Sequence, residues 1–96
     1  MYWDRHCQPI SAHRWDELLA KPAYRRVAEW QRGHQRVLTE WMGFVHGLDT
    51  QGRPEIFRTL VYIDGTLTGA VGWYATEPEA CAGHVVECLK REGVLT

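Results

Sequence analysis

The sequence predicts an α+β domain over residues 1–96: two short N-terminal helices, a three-stranded antiparallel β-meander, and a C-terminal helix packed on the sheet. Three features carry that prediction. Ser11 marks a helix start, Asp64–Gly65 is a hairpin signal between two β-rich runs, and Thr76 to Gly93 has the start, charge order and stop of a complete helix. A chain of 96 residues leaves no room for a second independent core. Its 45% apolar content and nearly balanced charges are globular rather than disordered.

In "PISAHRWDELLAKP" the Ser11 hydroxyl can accept from a free N–H of the first turn. Ile10 and Trp15 stand at the positions of a hydrophobic staple, and Trp15, Leu18 and Leu19 make a short apolar face. Pro22 disfavours helix at Lys21 and can open a second one. In that expected second helix Tyr24, Val27, Ala28 and Gln31 fall on neighbouring steps, and Gly33 is its stop. Beyond Gly33 the period changes to two, with Val37, Thr39 and Trp41 alternating against Leu38, Glu40 and Met42, which reads as a strand. "DTQGRP" is a loop. "EIFRTLVYI" is apolar on both faces apart from Arg58 and Thr59, as expected of a central strand covered on both sides. Asp64–Gly65 suits a type I′ turn, and the returning strand "TLTGAVGWYA" holds Gly69 and Gly72, which suggest a bulge or a close-lying helix. In the last helix Thr76 and Glu79 form a capping box, Lys90 and Arg91 sit at the negative end, and Gly93 closes it.

The net charge of −1 argues against binding nucleic acid by bulk electrostatics, and against acidic mimicry of DNA. Lys21, Arg25, Arg26, Arg32 and Arg36 nevertheless form a basic segment opposed there only by Glu29. The three cysteines, Cys7, Cys81 and Cys88, do not suit a disulfide framework, and no apolar run is long enough for a signal core or a membrane span. Reduced thiols in a cytoplasm are expected.

Cys81, His84 and Cys88 follow at steps of three and four, which could mean a ligand set. On a helical projection they share one arc with Ala80, Val85 and Leu89, while Glu79, Glu87 and Lys90 lie opposite. A structural zinc needs four ligands, and Cys7 or His6 would have to complete the set from the far end of the chain. Core packing is therefore the expectation, with a reactive thiol at Cys81 as the competing reading. No catalytic residue, metal or cofactor is assigned. "GTLTGAVG" lacks the Lys-Ser/Thr of a phosphate loop, and no carboxylate pair has a catalytic spacing. Five tryptophans are many for this length, and tryptophan is enriched where partners dock. The candidate partner surface is Arg25, Arg26, Trp30, Trp41 and Trp73.

Along the chain, "YWDRHCQPI", "RWDELL", "YRRVAEW", "VLTEWMGFVH", "PEIFRTLVY" and "WYATEPEACAGH" occur in that order. They resemble a group of small uncharacterised proteins of bacteriophage and prophage genomes, whose pattern runs "YYDRxGxPI", "W", "YRRVA", "VSTVWLGLDH", "PLIFETMVF" and "RYSTEEEAxAGH". The "IF-x-T-x-V" strand and the "YAT…EA…AGH" segment are the most specific parts. Arg58 stands where the pattern is acidic, and Val45 where it has Asp before His46, so an activity that depends on those carboxylates would be lost or changed here. The resemblance implies a phage-type accessory protein and supplies no chemistry. The expectation is a small phage or mobile-element protein that binds a host protein or protein complex in the host cytoplasm. An inhibitor of a bacterial defence complex, of the anti-CRISPR kind, is its concrete form. A homodimer is a further arrangement, and neither nucleic acid nor membrane is an expected partner. The alternatives are a nucleic-acid binder using Arg25 to Arg36, and an enzyme using His46, His84 and nearby thiols.

Overall fold

The computed structural model describes residues 1–93. In chain order the elements are β1 (Tyr2–Trp3), β2 (Pro9–Ile10), α1 (Ala12–Leu19), α2 (Pro22–Arg25), β3 (Arg26–Arg32), β4 (Gln35–Trp41), β5 (Phe57–Ile63), β6 (Thr66–Tyr74) and α3 (Glu77–Arg91). β3 to β6 form an antiparallel sheet in sequence order, β1 and β2 a separate two-stranded ribbon, and α3 crosses one face of the larger sheet.

The sheet therefore has four strands, which overturns the three-stranded meander preceded by two full helices. The expected second helix stops after one turn, because Arg26 turns to extended backbone (φ −75, ψ 120), and the chain continues as β3. The spacing of Val27 and Ala28 misled for a physical reason. A bulge between Arg26 and Ala28 inserts Val27 beside Ala28, so two adjacent residues are partly buried, as on a helix, before strict alternation resumes at Trp30. Gly33 is then a hairpin residue rather than a helix stop. With φ 60 it takes the first position of the two-residue link between Arg32 and Gln35.

Elements with strong local signals form as their residues dictate. The Ser11 hydroxyl accepts from Arg14 N–H at 3.1 Å, and the Thr76 hydroxyl accepts from Glu79 N–H at 3.4 Å. Asp64 and Gly65 both have positive φ (53 and 79), joining Ile63 to Thr66 through the expected turn. The alternation of β4 buries Val37, Thr39 and Trp41 completely.

The core lies between α3, the inward face of the sheet and the N-terminal segment. Trp41, Ile56, Phe57, Leu18 and Ala80 form its larger cluster, with Trp3, Trp15, Tyr24 and Val27 packed around them. Val37, Val61 and Cys88 form a smaller cluster with Trp30 and Ile63. Burying each of the larger side chains contributes about 1.5–3 kcal/mol.

Cys7, in the turn between β1 and β2, has φ 64. A side chain in the left-handed region costs roughly 1–2 kcal/mol, part of which glycine returns through the unfolded chain's entropy. The Cys7 thiol also donates to the Ala75 carbonyl at 3.3 Å. Cys7→Gly is expected to raise stability by about 0.5–1 kcal/mol, and Cys7→Ala, which keeps the strain and loses the contact, to lower it. Thermal melts of the three proteins check this order, and a Cys7→Gly protein melting below the parent would show that the thiol contact outweighs the backbone strain.

Candidate functional site: the uncovered face of the sheet

Successive residues of a strand point to opposite faces, and the register sorts the sheet into cross-strand rows. On the face under α3 the rows are Trp41–Phe57–Tyr74, then Ala28–Thr39–Thr59–Gly72, then Trp30–Val37–Val61–Gly69. On the other face they are Arg26–Glu40–Arg58–Trp73, then Glu29–Leu38–Leu60–Ala70, then Gln31–Arg36–Tyr62–Leu67. Among the described residues no helix covers this second face. This corrects the expectation that β5 is enclosed on both sides. Of its outward residues Arg58 and Tyr62 are only half-buried, while Leu60 between them is buried.

The covered face holds the Cys81–His84–Cys88 residues, and their roles separate there. Ala80, His84 and Cys88 are buried, while Cys81 is exposed and Val85 is 55% exposed. Glu87, expected on the outer side, is half-buried instead. The packed stripe is thus rotated towards Gly83. The reason is Tyr74, whose ring occupies the space that a Cβ on Gly72 or on Gly83 would need. Two glycines, one on the strand and one on the helix, make the slot that lets α3 sit close to the sheet.

Beneath the helix runs a buried polar chain. His84 Nδ1 lies 2.8 Å from the Thr39 hydroxyl, Thr39 lies 2.6 Å from the Thr59 hydroxyl, and Thr59 donates to the Tyr74 hydroxyl at 3.2 Å. Each threonine has one proton. If Thr59 gives its proton to Tyr74, Thr39 must donate to Thr59 and His84 must donate from Nδ1 to Thr39. That is neutral imidazole with the proton on Nδ1, and burial holds the His84 pKa below its ordinary value, in agreement. Burial, with Asp4 beside Cys7 and with Glu92 and Glu87 beside Cys88, raises the pKa of both thiols, which disfavours thiolates there. Among the described residues no group of three or more metal-binding side chains is present. His46 does not approach His84. It stacks on Trp73, with ring centroids 3.5 Å apart and planes 5° apart, on the uncovered side.

The uncovered face is largely polar, with leucines set among its charged side chains. Arg58 Nε and Nη2 both bond Glu40 Oε1, at 2.9 and 2.8 Å. Arg36 is paired with Glu29, and that bond keeps the Glu29 carboxyl below its usual pKa. The Arg36 guanidinium also lies 5.2 Å from the centre of the Tyr62 ring. Leu38, Leu60 and Leu67 lie between, in a groove of about 320 Å³. Arg25, at the end of α2, borders it, and its Nε is buried with no hydrogen-bond partner among the described residues.

Of the five residues expected to meet a partner, Arg25, Arg26 and Trp73 come together around this face. Trp41 does not. It is completely buried, donates from Nε1 to the Trp3 carbonyl at 3.0 Å, and packs edge-on against Tyr24. Trp30 lies on the α3 side, where it donates to Glu92 at 3.0 Å. Arg36, Leu38, Arg58, Leu60, Tyr62 and Leu67 were missed because a face is a property of four strands in register. The signal was present in the positions 36, 38, 40 and 58, 60, 62 that the strand period places opposite the core. No described helix is long and apolar enough to cross a membrane. Comparison of the chain with protein-family models, with curated proteins and with solved structures gave no match.

Proposed function

We propose that this chain is a binding protein that seats a protein partner on the uncovered face of its sheet. The observation that carries the reading is the groove itself: arginine and glutamate side chains make most of its exposed lining, with Leu38 and Leu67 beside them and Leu60 buried at its base. Arginine is enriched where proteins dock, and a groove rich in it suits a partner's charged side chains. The resemblance to small phage proteins supplies the biological setting, a mobile-element accessory protein acting on a host protein in the host cytoplasm. Inhibition of a bacterial defence complex is the concrete form of that proposal.

The test compares capture from host lysate by the wild-type protein and by a Leu67→Asp variant. Leu67 is 50% exposed, so the change alters the face and spares the fold. A stoichiometric partner held by the first and released by the second is the expected result. No partner, or one held equally by both, overturns the reading.

A further inference from the structure

We infer that the corner of the groove lined by Arg25, Arg26, Arg58 and Glu40 is a carboxylate-receiving subsite, and that the partner enters as an acidic protein segment. The inference rests on the uncovered face being the docking surface, and it names the chemistry that this surface selects.

Arg26 is the register partner of Glu40 and is exposed, and Arg58 is the register partner on the other side. Arg25 joins them from the end of α2, bordering both this groove and a neighbouring one that Glu40 and Arg58 also line. Arg25, Arg26, Arg36 and Arg58 thus line a groove whose described lining includes one carboxylate, Glu40. Glu40 Oε1 is already engaged by Arg58, while Arg25 keeps a buried Nε–H with no acceptor. A buried guanidinium donor without a partner is unusual, because such groups are costly to leave unmade. Among the described residues neither Arg25 nor Arg26 is held in an ion pair, so both charges are open to an incoming carboxylate. The planar fork of arginine also matches a carboxylate better than it matches a neutral amide.

The rest of the groove decides between a protein and a nucleic acid. Single strands bind by stacking bases on free aromatic rings above a positive track. Here both outward rings are already occupied, Trp73 by His46 and Tyr62 by Arg36. Glu29 and Glu40 interrupt the positive track, and the chain as a whole carries −1. A segment with one or two carboxylates next to leucine-like side chains fits instead, with its charge at the arginine corner and its apolar residues on Leu38 and Leu67.

Fluorescence anisotropy with three labelled probes tests this: a peptide alternating glutamate with leucine, its glutamine counterpart, and an oligothymidylate. The glutamate peptide is expected to bind saturably, and the glutamine peptide at least about tenfold more weakly. Arg25→Gln and Arg26→Gln should each weaken the glutamate peptide by a similar factor, with unchanged melting temperatures. Arg14→Gln, on exposed α1, should leave it unaltered. Equal binding of the two peptides, preference for the oligothymidylate, no effect of either groove variant, or no binding of the glutamate peptide up to about 1 mM each overturns the inference. Should a lysate partner still be lost in Leu67→Asp, the docking face stands and only its acidic preference falls.

Discussion

Replacing Trp41 by alanine is expected to cost about 3–5 kcal/mol, the range for deleting a fully buried large aromatic. The indole has no exposed surface, and its Nε1 is spent on the Trp3 carbonyl. It also braces Tyr24 edge-on at 5.0 Å between centroids. Removing it leaves a cavity among Leu18, Ile56, Phe57 and Ala80 and deletes one of the ties between the N-terminal ribbon and the sheet. A domain of this size has about 5–15 kcal/mol in total, and each kcal/mol moves the melting temperature by about 4–8 °C. The variant should therefore melt far below the parent or be unfolded at room temperature. Trp73→Ala is the contrast, because Trp73 is only half-buried and its stacking partner His46 is exposed. It should cost about 1 kcal/mol and act on partner capture instead. A Trp41→Ala protein that melts with the parent would restore this tryptophan to the binding surface and contradict the packing described for it.

The second large effect concerns the chain from His84 to Tyr74. Thr39→Val keeps the side-chain shape but leaves His84 Nδ1–H without an acceptor and Thr59 without a donor, in a site closed to water. The expected cost is about 1–3 kcal/mol. Replacing the whole set together (Thr39→Val, Thr59→Val, His84→Leu, Tyr74→Phe) removes the polar groups with their partners, and should cost less than the single change. That asymmetry separates a satisfied network from a set of independent contacts, and chemical denaturation of the single and combined variants measures it. Losses that merely add would show that the hydroxyls do not act as one unit. The pH dependence gives a further readout. Because the folded-state pKa of His84 lies below its unfolded value of about 6.5, the unfolded chain binds the proton first as pH falls. The contribution is whole above about pH 6.5 and is lost as pH drops towards the lowered value. The combined variant should lack this part of the acid slope.

The parts of the fold that could be read from sequence are those whose signals are local. Ser11, Thr76 with Glu79, and Asp64–Gly65 act within four residues, and the alternation through Val37, Thr39 and Trp41 needs no partner to be seen. β3 could not be read this way, because its bulge disguises a strand as a helix over the residues that decide between them. The direction of Leu60 was equally hidden. Apolar residues on both sides of β5 imply two covered faces, yet Leu60 is only 5% exposed on a face over which no described helix lies. The candidate site follows the same logic. Arg25, Arg26 and Trp73 could be named singly, whereas their grouping with Arg58 and Leu67 depends on which residue of each strand stands opposite which. His84 was legible as a core residue. Its partners Thr39 and Thr59 were not, since 45 and 25 residues separate them from it.

The irregular pairing at the sheet's two outer strands has a consequence for how molecules of this protein meet. β3 carries a bulge at its start, and the pairing of β6 with β5 slips twice along its length. Each slip twists an open edge and breaks the even ladder that another strand would need in order to add on. Charged and polar residues (Glu29, Gln31, Arg32) lie along the β3 rim as well. Growth of the sheet from chain to chain is thereby discouraged at both ends. Concentrated protein should resist fibrillar association, and a visitor is left with the flat of the sheet as its way in.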